Sequence, residues 1–100
     1  MVVGCGNIGR RHIEALAAAG VPMRVIGIEP GAGARAQAET LVAVFANGST
    51  VLADMDHVPD TVDLVIIATS AAHRRAAFET MLSRCTPKAV ILEKVLFTTR

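Results

Sequence analysis

Met1-Val2-Val3-Gly4-Cys5-Gly6-Asn7-Ile8-Gly9 decides how the rest of this chain is read. An apolar run leads straight into glycines at 4, 6 and 9, and a helical pattern follows at once. This is G-x-G-x-x-G after a strand and at the opening of a helix, the context in which the spacing has a physical meaning. Gly4 makes the tight turn out of the strand. Gly6 has no Cβ, so a pyrophosphate can approach the backbone, and Gly9 lets the helix pack closely on the sheet. The free N–H groups of the first helical turn, around Asn7 and Ile8, then face the phosphates together with the helix dipole. Glycine-rich turns also join strands to helices where no ligand binds, so the motif needs support from elsewhere in the chain.

Glu29 supplies the first support. It closes the next apolar run, Val25-Ile26-Gly27-Ile28, twenty residues after Gly9. A carboxylate at that place can hydrogen-bond a ribose 2′-hydroxyl and repels a 2′-phosphate, which favours NAD over NADP. The second support is the alternation of strand and helix patterns along the whole chain, as a dinucleotide-binding domain requires.

The composition fits that architecture. Apolar residues make up 52% of the 100 residues, with three Phe and no Trp or Tyr. Aliphatic side chains in unbroken runs suit a parallel sheet buried on both faces. A net charge of +1 lacks the basic footprint of a nucleic-acid binder. No apolar run approaches the ~20 residues of a membrane span, and the opening lacks the n- and h-regions of a signal peptide. The expectation is a cytoplasmic protein in which Cys5 and Cys85 are free thiols.

The element reading follows from periodicity and breakers. Met1–Gly4 is the first strand. The first helix runs from about Ile8 to Ala19, with Ile8, His12, Leu16 and Ala19 on one stripe, and Gly20-Val21-Pro22 stops it. Met23–Ile28 is the second strand, and Pro30-Gly31-Ala32-Gly33 is a turn. The second helix reaches about Ala46, with Ala34, Ala38, Leu41, Val42 and Phe45 inward. Thr50–Ala53 is the third strand and Asp54–Asp63 a polar loop. Leu64–Ala68 is the clearest buried strand, Ser70 an N-cap, and Ala71–Arg84 a third helix with Phe78, Met81, Leu82 and Cys85 on one face. Ala89–Leu92 is the fifth strand. Right-handed crossovers predict a doubly wound parallel α/β sheet, Rossmann-like, in strand order 3-2-1-4-5.

With these residues in place, the chain resembles the N-terminal domain of the glucose–fructose oxidoreductase/inositol dehydrogenase (Gfo/Idh/MocA) family. The stretches G-C-G-N-I-G-R-R-H, V-D-L-V-I-I-A-T-S and I-L-E-K-V-L-F carry the resemblance, in order and over nearly the whole length. It implies NAD(P)-dependent hydride transfer on sugars, inositols or sugar-nucleotide derivatives. It also implies a second α/β domain, which binds substrate, often mediates oligomerisation and is absent from residues 1–100. The family's glycine turn maps onto Gly4, Gly6 and Gly9, and its ribose acid onto Glu29. Its Ala-Thr turn maps onto Ala68, Thr69 and Ser70 beside the cofactor. Its Glu-Lys pair maps onto Glu93 and Lys94, the lysine lying near nicotinamide and substrate. Two departures are visible: Val95 stands where the family has Pro, and the turn after Thr69 is shorter, so His73 matches the family's histidine only loosely.

Other residues admit plainer readings. Lys94 lies at the carboxyl end of a strand, where ligands bind in such sheets, and is the catalytic candidate against a solvated lysine. Arg35 is in reach of a 2′-phosphate but is read as exposed on the second helix. Asp54, Asp56, His57, Asp60 and Asp63 match no tight metal-ligand template and read as a solvated loop. Arg10 and Arg11 lie on a polar helix face from which either can assist the pyrophosphate. His12, on the inward stripe, reads as a packed, hydrogen-bonded histidine. The leading expectation is the cofactor-binding half of a dehydrogenase or reductase acting on a small sugar-like molecule, inactive until a substrate surface is supplied. The alternative is a non-catalytic NAD(P)-binding regulatory module. An uncovered sheet edge after the fifth strand also predicts self-association into a homo-oligomer.

Overall fold

The apolar run that opens the chain lies at the centre of a parallel sheet. The computed structural model describes residues 1–46 and 48–93. In chain order the elements are β1 (Val2–Val3), α1 (Asn7–Ala18), β2 (Ile26–Ile28), α2 (Ala32–Val42), β3 (Thr50–Leu52), β4 (Thr61–Ile67), α3 (Ala71–Arg84) and β5 (Thr86–Leu92). The strands form one sheet in the order β3-β2-β1-β4-β5, every neighbouring pair parallel. This is the doubly wound α/β arrangement expected from the alternation of elements. Val2 sits opposite Gly27 and Ile66, and Val3 opposite Ile28 and Ile67.

Successive strand residues point to opposite faces, so the two valines of β1 seed two cores. Val2 and Ile66 pack with Ile13 of α1 and Ala38 and Val42 of α2. Val3 and Ile67 pack with Met81 of α3 and with Ile26 and Ile28. Cys5 belongs to the first cluster and Cys85 to the second, on opposite sides of the sheet, and both are free thiols.

The boundaries differ from the sequence reading where tertiary context overrides local pattern. β4 begins at Thr61, inside the stretch expected to be a loop. Its first residues alternate: Val62 packs against the second core, while Thr61 and Asp63 are exposed and carry none of the apolar signal of a buried strand. Asp63 instead pairs across the strands with Lys88, at 3.3 Å. β5 begins at Thr86 rather than Ala89 and runs through Pro87. Proline lacks an N–H for the ladder and is tolerated because β5 is at the sheet edge. α2 starts at Ala32, inside the expected turn, and ends at Val42 rather than near Ala46. On α1 the fully buried positions are Gly9 and Ile13, with Ile8 and Leu16 flanking them and Ala19 exposed. Leu82, expected on the inward face of α3, is 51% exposed, while Met81 beside it is completely buried.

Cys5 is the most enclosed polar-capable group in the first core. Its thiol lies 3.7 Å from the Val2 carbonyl oxygen, to which it donates. Burial, and secondarily the nearby Glu29 carboxylate, push this thiol up to about 11. An unfolded cysteine ionises near ~8.5, so the folded state holds its proton where the unfolded state releases it. The corresponding stability is complete below that lower value and is lost as pH rises through the interval up to the folded one. Melting temperature is therefore expected to fall across this alkaline interval, and Cys5→Ala should flatten the fall. An unaltered pH profile in the variant would assign the alkaline loss to other groups.

Candidate functional site

All five strands run the same way, so their carboxyl ends share one edge of the sheet. That edge brings together the Gly4–Gly9 turn after β1, Glu29 after β2, Ala68–Ser70 after β4 and Glu93 after β5. The strand order reverses between β1 and β4, and the crevice of such sheets lies outside the carboxyl ends at that switch point.

The glycine turn has three different surroundings. Gly4 has φ +90°, a conformation glycine alone adopts readily. A Cβ there would stand 2.9 Å from Thr69 Cγ2, so the turn and the end of β4 are in close contact. A Cβ on Gly9 would overlap the Gly4 carbonyl oxygen, so glycine is what lets α1 close against the turn. A Cβ on Gly6 would meet nothing within 4 Å. Gly6 is also the N-cap of α1, with no side chain capping the helix. The first-turn amides from Asn7 onward thus have no partner inside the helix, and the space beside Gly6 stands open to a phosphate.

Side chains from several elements hold this turn. Arg10 donates through Nη1 to the Cys5 carbonyl (2.9 Å) and through Nη2 to Asn7 Oδ1 (2.8 Å). It braces the turn from behind, while Arg11 is exposed. Glu29 accepts from the Cys5 N–H at Oε1 (2.8 Å) and from the Gly31 N–H at Oε2 (2.9 Å). The carboxylate is fixed by the backbone of both turns it separates. A carboxylate has about four lone-pair sites, so acceptor capacity remains for a hydroxyl group. Arg35 is not the solvent-exposed residue expected. Its Nη1 donates to the carbonyls of Glu29 (3.0 Å) and Pro30 (3.1 Å), closing the β2–α2 turn.

On the β4 side, Ala68 is buried, and its N–H donates to the Val3 carbonyl at 2.8 Å. Thr69 Oγ1 is buried with no hydrogen-bond partner among the described residues. An unpaired buried hydroxyl costs about 1–3 kcal/mol. Ser70 stands at the N-cap position of α3, but its Oγ makes no capping bond. It pairs with His73 Nδ1 at 2.8 Å. At the end of β5, the Glu93 N–H donates to the Ile67 carbonyl (2.9 Å), continuing the ladder one step. Glu93 Oε1 lies 2.5 Å from His12 Nε2, which gives the partner of the histidine read from sequence as packed and hydrogen-bonded. Lys94 and Val95 lie outside the described residues.

A hollow of about 520 Å³ is at the opposite edge, lined by Met1, Leu16, Met23, Thr61 and Leu64 among others. None of the glycine-turn residues lines it. Among the described residues no cluster of His, Cys, Asp or Glu has metal-ligand geometry. No described helix is long and apolar enough to cross a membrane.

An open glycine turn at a helix N-terminus, a strand-end carboxylate beside it and the β1/β4 switch point define a dinucleotide-binding domain of the Rossmann type. A family model described as "Oxidoreductase family, NAD-binding Rossmann fold" (GFO_IDH_MocA) matches residues 1–99. The chain belongs to this Gfo/Idh/MocA family of oxidoreductases. No curated protein and no solved structure matches it.

Proposed function

We propose that the chain is the cofactor domain of an NAD-dependent dehydrogenase or reductase that transfers a hydride to or from a sugar, inositol or sugar-nucleotide-like substrate. The observation that carries the cofactor choice is the fixed Glu29 carboxylate, bonded to the Cys5 and Gly31 amides beside the open face of Gly6. The residues fit the cofactor: Gly6, Asn7 and Ile8 would hold the pyrophosphate and Glu29 the adenosine ribose, with Thr69 beside the cofactor at the end of β4. NAD, when bound, supplies the carbon that accepts or returns the hydride.

A hydroxyl group oxidised in this way must also lose a proton, and a carbonyl reduced must gain one. Lys94 is the proposed group for that proton, because it follows the strand end that borders the crevice. The substrate class rests on the family to which the chain belongs, and Glu93 is proposed as part of the same wall.

Calorimetric titration with NADH and NADPH tests the reading. NADH is expected to bind at least about tenfold more tightly, reflecting one charge repulsion of roughly 1.4 kcal/mol. Glu29→Ala should narrow the gap. Equal or tighter NADPH binding by the unaltered chain would overturn the assignment.

A further inference from the structure

His12 and Glu93 are separated by 81 positions, yet their side chains meet at 2.5 Å. They are 27% and 32% exposed, so neither is freely solvated. Both elements that carry the pair are anchored elsewhere as well. α1 is anchored by Ile13 in the first core, and β5 is paired with β4 from Thr86 to Leu92. What the contact does fix is the direction of one side chain. Glu93 continues the β5 ladder through its backbone, and its carboxylate reaches back past the end of β4 to the second turn of α1.

That path crosses the switch point. On one side lies the Gly4–Gly9 turn, which opens α1, and on the other Ala68–Ser70. A dinucleotide whose adenosine ribose is taken by Glu29, at the end of β2, must extend its other half across the switch point toward β4 and β5. The His12–Glu93 pair stands on that second side, away from Glu29.

We propose that His12 is a positioning residue for the nicotinamide half of the cofactor, acting by holding the Glu93 carboxylate against α1. The proposal rests on the function given above. With His12 in place, the carboxylate forms a fixed wall at the nicotinamide end. Without it, the carboxylate swings free and the wall loses its shape, while the pyrophosphate and adenosine contacts stay intact.

Two probes separate these halves: NADH, and ADP-ribose, which lacks the nicotinamide ring. Affinities of both for the chain are measured by calorimetry, with folding checked by circular dichroism. His12→Ala is expected to weaken NADH about fivefold, the loss of one charge-assisted hydrogen bond in part. ADP-ribose affinity should change by less than about twofold, within the same reasoning. His12→Gln, whose amide N–H can donate to Glu93, should restore most of the NADH affinity. Glu93→Ala, just past the end of β5, should reproduce the NADH-selective loss should His12→Ala fail to fold. Equal weakening of both ligands, or no change in either, would overturn the proposal and leave the cofactor reading standing. Failure of the unaltered chain to bind either ligand would overturn both.

Discussion

Gly9→Ala is expected to unfold the chain or bring it to the edge of unfolding. The added methyl would overlap the Gly4 carbonyl oxygen, a backbone atom that cannot rotate away. Gly4 is itself pinned: its N–H donates to the Ile28 carbonyl at 2.8 Å, and its Cα faces Thr69. Relief therefore requires α1 to lift off the sheet, which exposes Ile13 and opens the first core. A cost of about 4 kcal/mol, at the upper end for one substitution, is a large share of a small domain's stability. The melting temperature should drop by on the order of 20 °C. A circular dichroism melt checks this directly. A variant melting within a few degrees of the unaltered chain would show that the helix has room the structure does not give it.

Gly6→Val, only three positions earlier, should do the reverse. Gly6 has φ −73°, a value any residue adopts, and its Cβ direction is empty. The fold should survive, with a melting temperature close to that of the unaltered chain. The isopropyl group would fill the space by which a pyrophosphate reaches the first amides of α1. NADH affinity should fall by about 100-fold or more, equivalent to roughly 3 kcal/mol. Calorimetry on the folded variant reads this out. Unchanged affinity would mean that the turn serves the strand–helix junction and nothing else. The two substitutions together separate the roles of two glycines in one motif: Gly9 packs, and Gly6 leaves space.

Much of this was legible in the sequence because it is local. The glycine spacing, the carboxylate at the end of the second strand and the alternation of apolar runs with helical periods each depend on residues a few positions apart. Local backbone preference and side-chain period then suffice to place the element order and, through right-handed crossovers, the strand order. The family resemblance drew on the same short stretches. The start of β4 was not legible, since the exposed Thr61 and Asp63 flank a single packed valine and look like the polar loop before them. Nor was Pro87 readable as part of a strand, because only its place at the sheet edge makes a missing N–H harmless.

The architecture and the chemical types gathered at the carboxyl edge, namely glycines, two glutamates and a threonine, are written in short stretches of sequence. How those groups are held emerges only on folding. The tertiary structure turned Glu29 onto the amides of Cys5 and Gly31, folded Arg35 back onto the carbonyls of its own turn, left Thr69 Oγ1 without a partner and brought His12 to Glu93. Except for Arg35 and the Gly31 bond, these are relations between chain segments far apart in sequence. No periodicity encodes them, because they arise only when parallel strands bring their ends to one edge.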